Sequence, residues 1–118
     1  MKISKLLITS LFSVMVCVSV AQDFPTKPIT IISPFPPGGG TDTLARLVAG
    51  GMTEKMGWKT VVENKPGAAG NLGTEIVGRA PPDGYLLLAN SIGPISINPT
   101  LFGNLAVNPQ KALDPVAL

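Results

Sequence analysis

The pattern of apolar residues downstream of residue 28 predicts three short strands. The segment "ITIIS" (29–33) is rich in β-branched residues and is bounded by Pro28 and Pro34. Two further apolar runs, in "KTVVENK" (strand 60–63) and "YLLLA" (85–89), follow along the chain. Short apolar runs bounded by turn-forming residues are typical of strands buried within a sheet. We therefore predict three such strands.

Two helical segments separate these strands. The first is predicted to begin with Thr41 as its N-cap, to carry Asp42 in its first turn and to end at Gly57. The second is predicted to begin with Asn71 as its N-cap and to end before the "APPDG" turn (80–84). Five positions of the first helix follow the i, i+3, i+4, i+7, i+8 spacing of a packed face. They are Leu44, Leu47, Val48, Gly51 and Met52, and the glycine among them is expected to permit close packing.

The resulting order, β–α–β–α–β, predicts an α/β fold with a parallel sheet and right-handed crossovers. In such a sheet the loops that follow the strands share one edge, where ligands bind. Two glycine-rich turns (36–41 and 66–70) and the loop "NSIGPIS" (90–96) are predicted to meet there. After residue 90 the prolines predict turns and short helical pieces.

The N-terminal segment has the features of a secretory signal peptide. "MKISK" supplies positive charge, residues 6–20 are uncharged, and the small residues Ser19 and Ala21 occupy the positions that signal peptidase reads. We predict a signal peptide over 1–21, periplasmic localisation and no membrane insertion after cleavage. The alternatives are a membrane anchor, for which the stretch is short, and a lipoprotein, disfavoured because Val16 precedes Cys17.

Cleavage changes the charge and the available chemistry. The loss of Lys2 and Lys5 leaves seven basic and seven acidic residues, a balance that offers no field to attract nucleic acid or an anionic membrane. The mature chain has neither histidine nor cysteine, which excludes Cys/His metal sites and histidine-based catalysis. Ser91 has no base to activate it. We expect no metal, no cofactor and no enzymatic activity, and an exported enzyme is the most disfavoured reading.

The first glycine turn leads into a helix and is therefore a candidate anion site. A helix N-terminus offers free N–H groups, and glycine lets the backbone approach a ligand. The segment lacks the lysine of a Walker loop, and Thr43 stands where a dinucleotide fingerprint needs its third glycine. Nucleotides are thus disfavoured. A simple tight connector remains the alternative. Asp42 is either a first-turn carboxylate that interacts favourably with the helix dipole or an acceptor for a ligand amide, amine or ordered water.

Four motifs taken together resemble a known family: "PFPPGGGTD", "VVENKPGAAGNLGTE", "PPDGY" and "INPTLF". In this order and spacing the sequence is similar to the N-terminal part of the Bug receptors, which are extracytoplasmic solute receptors of tripartite tricarboxylate transporters. The resemblance implies a two-lobed Venus-flytrap fold of the periplasmic binding protein class (type II). Residues 22–118 would form the first part of lobe 1. It also implies capture of small organic carboxylates and partnership with membrane permease subunits.

The resemblance also implies which residues contact the ligand. The carboxylate would lie between the first two strand–helix loops, partly through bridging waters, and the segment 91–98 would add polar contacts. Since family members are much longer, we expect a truncated product that binds weakly or not at all by itself. Presentation of ligand to a two-component sensor kinase is the functional alternative. The predicted ligand-binding residues are Phe35, Pro37, Gly38, Gly39, Gly40, Thr41, Asp42, Gly67, Ala68, Ala69, Gly70, Asn71, Ser91 and Asn98.

Overall fold

A computed structural model describes residues 23–117, so the predicted signal peptide lies outside the described residues. Five main elements follow one another in the order predicted from the sequence. A 3₁₀ turn (Ala68–Gly70) precedes the second helix, and a π-helical turn (Gly93–Ile97) and two short helices follow the last strand. The elements are β1 (Ile29–Ser33), α1 (Gly40–Met56), β2 (Thr60–Asn64), α2 (Asn71–Gly78), β3 (Leu86–Leu88), α3 (Asn98–Leu101) and α4 (Pro109–Ala112).

The three strands form a parallel sheet in the order β2-β1-β3. Ile31 of the central strand pairs with Val62 on one side and with Leu87 on the other. The chain moves from β1 to β2 and then crosses back to β3, so right-handed crossovers place α1 and α2 on opposite faces of the sheet. The predicted α/β fold with parallel pairing is confirmed.

Helix α1 packs on the sheet through small residues, and the predicted packed face is wrong. Ala45 and Ala49 are buried against Ile31, because alanine lets a helix axis approach a sheet closely. Three members of the predicted face are mainly in solvent: the exposed fractions of Leu44, Leu47 and Val48 are 63%, 71% and 55%. A Cβ added at Gly51 would meet nothing within 4 Å, so that glycine does not serve close packing. Only Met52 packs against the core.

The cause of this error lies in the sequence itself. Successive residues of a helix are about 100° apart, so the stripe of Ala45 and Ala49 lies directly beside the stripe of Leu44 and Val48. The helix therefore carries apolar side chains on two neighbouring faces, and spacing alone does not say which one meets the sheet. In the structure the smaller side chains do so.

Both helices start at different residues from those predicted. Helix α1 begins at Gly40 with Gly39 as its N-cap, so Thr41 is the second helical residue and not the cap. Helix α2 begins at Asn71 with Gly70 as N-cap, so Asn71 is also inside its helix. In both cases a glycine upstream of the predicted cap takes the cap position, two residues before Thr41 and one residue before Asn71. The predicted end at Gly57 is confirmed, since this residue has φ 70° and donates its N–H to the Thr53 carbonyl.

The amino ends of the strands are covered by aromatic packing. Phe24 lies edge-on to Trp58, with ring centroids 5.7 Å apart, and its ring centroid is 4.9 Å from that of Tyr85. Trp58 and Tyr85 are therefore packing residues at this end of the sheet. Over residues 23–117, no helix has both the length and the apolar character needed to cross a membrane.

Candidate functional site

Three loops meet at the carboxyl ends of the strands, as the topology predicts. The ring of Phe35 from the first loop and the ring of Pro94 from the third segment both lie against Gly70 of the second loop. A Cβ added at Gly70 would come within 2.6 Å of Pro94 Cγ and 3.1 Å of Phe35 Cζ. The Asn98 amide donates to the Ala69 carbonyl at 3.0 Å, which further ties the third segment to the second loop. The three loops therefore form one continuous surface.

The first loop presents the open end of α1. An α-helix leaves its first N–H groups without acceptors inside the helix. The N-cap residue, Gly39, has no side chain, and no side-chain hydrogen bond caps this end. Gly38 has φ 84°, a left-handed conformation that favours glycine. The backbone N–H groups of Gly40, Thr41 and Asp42 are thus directed out of the first turn toward the loop surface, where the helix dipole is positive.

Asp42 is buried beneath this loop and its carboxylate is fully engaged. Its Oδ2 accepts from the backbone N–H of Gly38 at 2.8 Å and from Arg46 Nε at 3.0 Å. Its Oδ1 accepts from Asn64 Nδ2 at 2.8 Å and lies 3.0 Å from Arg46 Nη2. The Arg46 hydrogen bond, followed by those of Gly38 and Asn64, lowers the pKa of Asp42 to about 2. The Asp42 side chain therefore hydrogen-bonds to groups of the protein itself, and its negative charge is balanced by Arg46.

The second loop has an unusual backbone. Four successive residues have positive φ: Gly67 (148°), Ala68 (48°), Ala69 (55°) and Gly70 (88°). Positive φ is easy for glycine, whereas an L-alanine in the left-handed region costs roughly 1 kcal/mol or more. Such conformations are concentrated at functional sites. From the sequence the glycines alone are expected to adopt them, so the two alanines are a finding of the structure.

The third segment is fixed from below by one buried and one half-buried amide. Asn98 is 5% exposed and donates to Asn71 Oδ1 at 2.7 Å in addition to the Ala69 carbonyl. Asn90 donates to Thr74 Oγ1 at 3.0 Å, and that hydroxyl donates to the Gly70 carbonyl at 2.8 Å. A polar residue close to the end of a parallel strand, such as Asn90 after β3, is the sequence signal that would have identified this network.

The predicted ligand-binding residues all lie on or under this surface, and most of those at the surface offer backbone groups. Eight are exposed, namely Pro37, Gly38, Gly39, Gly40, Gly67, Ala68, Ala69 and Ser91. Three are half-buried and three are buried, the former being Phe35, Thr41 and Asn71 and the latter Asp42, Gly70 and Asn98. Within the described part of the chain, no group of three His, Cys, Asp or Glu residues is placed to hold a metal ion.

The family model described as "Tripartite tricarboxylate transporter family receptor" matches residues 44–118. The chain belongs to this receptor family. Its members are solute-binding receptors and not enzymes, and the resemblance to the Bug receptors is thereby confirmed.

Two proteins that are similar in sequence to this chain show how much of a relative's length it covers. BugT of Bordetella pertussis is 37% identical over 99 residues, which are 83% of this chain and 30% of BugT. A protein from the TAR-I region of Agrobacterium vitis is 44% identical over 102 residues, which are 86% of this chain and 29% of that protein. The chain therefore spans about 30% of the length of these receptors.

Two solved structures show that the similarity extends to the fold. MatC from Rhodopseudomonas palustris, solved with bound malate, is 40% identical with a TM-score of 0.76, over 80% of this chain and 32% of MatC. A second R. palustris protein, solved with adipate, is 39% identical with a TM-score of 0.58, over 60% of this chain and 24% of that protein. The described residues thus form part of a periplasmic binding protein fold, as predicted.

Proposed function

We propose that this receptor-family chain forms one wall of a periplasmic binding site for small organic carboxylates and serves a tripartite tricarboxylate transporter. Residues 1–21 would direct export as a signal peptide, and the permease subunits of the transporter would be the partners. The wall consists of the loops 35–42 and 67–71 together with the segment 91–98. A carboxylate would bind to their backbone N–H groups, partly through bridging waters.

The open N-terminus of α1 is the observation that carries this proposal. It lies on the loop edge where the strands end, it has no side-chain cap, and the cap residue Gly39 leaves the backbone accessible. Free N–H groups and the positive end of a helix dipole favour an anion of carboxylate size. Relatives with the same fold are described with malate and with adipate, both of which are dicarboxylates.

The charges around the loop fit recognition by the backbone. Arg46 is the cation nearest to the first turn, but its guanidinium is bound to Asp42 and to Asn64 Oδ1. It neutralises the buried carboxylate and so prevents that carboxylate from repelling an anionic ligand. Because a closed two-lobed cleft excludes water and adds contacts, we propose that this wall alone binds more weakly than a complete receptor.

A matched pair of glycine substitutions in α1 tests the proposal. A Cβ added at Gly40 or at Gly50 would meet nothing within 4 Å, so Gly40→Glu and Gly50→Glu should both fold. The first places a carboxylate at the open helix end, and the second places the same charge further along the helix. We expect Gly40→Glu to reduce malate binding by about tenfold or more through like-charge repulsion, and Gly50→Glu to leave it unchanged.

Binding is measured on the full chain by saturation-transfer NMR, which detects weak complexes, with malate and adipate as ligands. The neutral diamide of malate serves as the ligand control, since it lacks the carboxylates and should not bind. Equal binding by the two glutamate variants, or equal binding of malate and its diamide, would contradict the proposed function.

A further inference from the structure

We infer that Asn64 is a positioning residue that fastens the carboxylate-binding loop 35–42 to the sheet, an inference that rests on the proposed function. Asn64 is the last residue of β2 and pairs with Ser33, the last residue of β1. The first loop leaves the sheet just after Ser33. The Asn64 side chain thus stands where the loop begins.

Every polar group of the Asn64 amide is used. Its Nδ2 donates to the Phe35 carbonyl at 3.0 Å and to Asp42 Oδ1 at 2.8 Å. Its Oδ1 accepts from Arg46 Nη2 at 3.1 Å. The amide therefore has one satisfied orientation, because a flipped amide would place its oxygen against two acceptors and its nitrogen against a guanidinium.

These bonds hold the loop at both of its ends. Phe35 is the first residue of the loop 35–42, and Asp42, in the first turn of α1, is the last. Asp42 in turn holds the backbone N–H of Gly38 at 2.8 Å. The glycines between these points have the widest choice of backbone conformations of any residue. By restraining them before a ligand arrives, the clamp of Asn64 and Asp42 would lower the ordering cost of binding.

The chemistry of the position requires an amide. Aspartate at residue 64 would set an acceptor against the Phe35 carbonyl and a negative charge against Asp42 Oδ1. Alanine would leave both of these oxygens without their donor. In either case the loop would be released from β2 while the sheet pairing, which uses backbone groups, would remain. Asn104, which is exposed and lies downstream of α3, permits the same substitutions away from the loop.

The experiment compares the full wild-type chain with Asn64→Asp and Asn64→Ala, and with Asn104→Asp and Asn104→Ala as matched controls. Hydrogen exchange of the Gly38 amide, followed by NMR, reports on the loop, and saturation transfer to malate reports on binding. We expect Gly38 exchange to accelerate about tenfold or more in both Asn64 variants, and malate affinity to fall by a similar factor. Both controls should match the wild type. If Asn64→Asp does not fold, Asn64→Ala still allows both measurements.

A double variant separates a clamp from a general effect on stability. Asp42→Asn combined with Asn64→Asp restores an amide opposite a carboxylate, so its loss of Gly38 protection should be smaller than the combined losses of the single variants. Gly38 exchange equal to that of the Asn104 controls, or strictly additive losses, would overturn the inference. If wild-type chain binds no malate while Gly38 exchange still responds, the proposed function fails and the clamp stands.

Discussion

Gly73 of α2 lies directly against Pro34, the residue that follows β1. A Cβ added at Gly73 would come within 2.7 Å of the Pro34 Cβ and 2.9 Å of its backbone Cα, distances at which something must move. The absence of a side chain at Gly73 therefore allows the first turn of α2 to lie close to the start of the first loop. Packing between this glycine and this proline holds the first two loops next to each other.

Replacement of Gly73 by alanine should therefore destabilise the protein, although alanine favours a helix. Overpacking against a proline ring and backbone costs about 1–3 kcal/mol. Gly50→Ala is the matched control, because its Cβ would meet nothing within 4 Å, and it should stabilise the protein by about 0.5–1 kcal/mol. Free energies of unfolding from urea titration provide the comparison. Equal effects of the two substitutions would contradict the packing described for α2.

The low pKa of Asp42 predicts a specific dependence of stability on pH. The folded-state pKa is about 2, below the ordinary value of 3.8, so folding favours the ionised carboxylate. Its contribution is present above about pH 4 and is lost as the pH falls through about 2. In Asp42→Asn no carboxylate titrates at this position, and stability should fall less over the same interval. Thermal midpoints recorded between about pH 5 and pH 2 test this, and parallel curves for the two proteins would refute it.

Asn98 should be important for stability as well as for the site. It is buried, and its amide donates to the Ala69 carbonyl and to Asn71 Oδ1. Asn98→Ala leaves both acceptors without this donor and should lower the free energy of unfolding by about 1–3 kcal/mol. Asn104→Ala, at an exposed position, should change it by less than about 0.5 kcal/mol. Indistinguishable urea denaturation curves would show that this amide does not tie the loops together.

The two faces of α1 predict opposite responses to substitution. Leu47 is 71% exposed, so Leu47→Gln should change the free energy of unfolding by less than about 0.5 kcal/mol. Ala45 is 1% exposed against Ile31, so Ala45→Leu should overpack the core and cost about 1–3 kcal/mol. Chemical denaturation of both variants decides between the two faces. Strong destabilisation by Leu47→Gln would restore the face that the spacing predicts.

The architecture could be predicted from the sequence because it depends on short-range signals. The β-branched run at 29–33 gives β1 at the bounds observed, and Gly57 ends α1 as expected. Alternation of strands and helices is enough to predict parallel pairing and the edge where the loops meet. These features follow from local composition and from the handedness of crossovers, and both are visible in one sequence.

Details that depend on competition between neighbouring residues could not be predicted. The packed face of α1 is decided by whether alanines or leucines approach the sheet, and both sets have helical spacing. The helix starts are decided by glycines that take the cap positions expected for Thr41 and Asn71. The role of Asn64 depends on contacts with Phe35 and Asp42, which are distant in sequence. Such tertiary contacts leave no periodic signal.

The proposed binding wall brings the loops 35–42 and 67–71 together to contact a carboxylate. Titration of malate into the ¹⁵N-labelled full chain tests it most directly, with amide chemical shifts as the measurement. We expect the largest shift changes on the amides of Gly40, Thr41 and Asp42 and on those of Ala68 and Ala69, and none with the diamide of malate. Changes confined to other parts of the chain, or equal changes with the diamide, would contradict it.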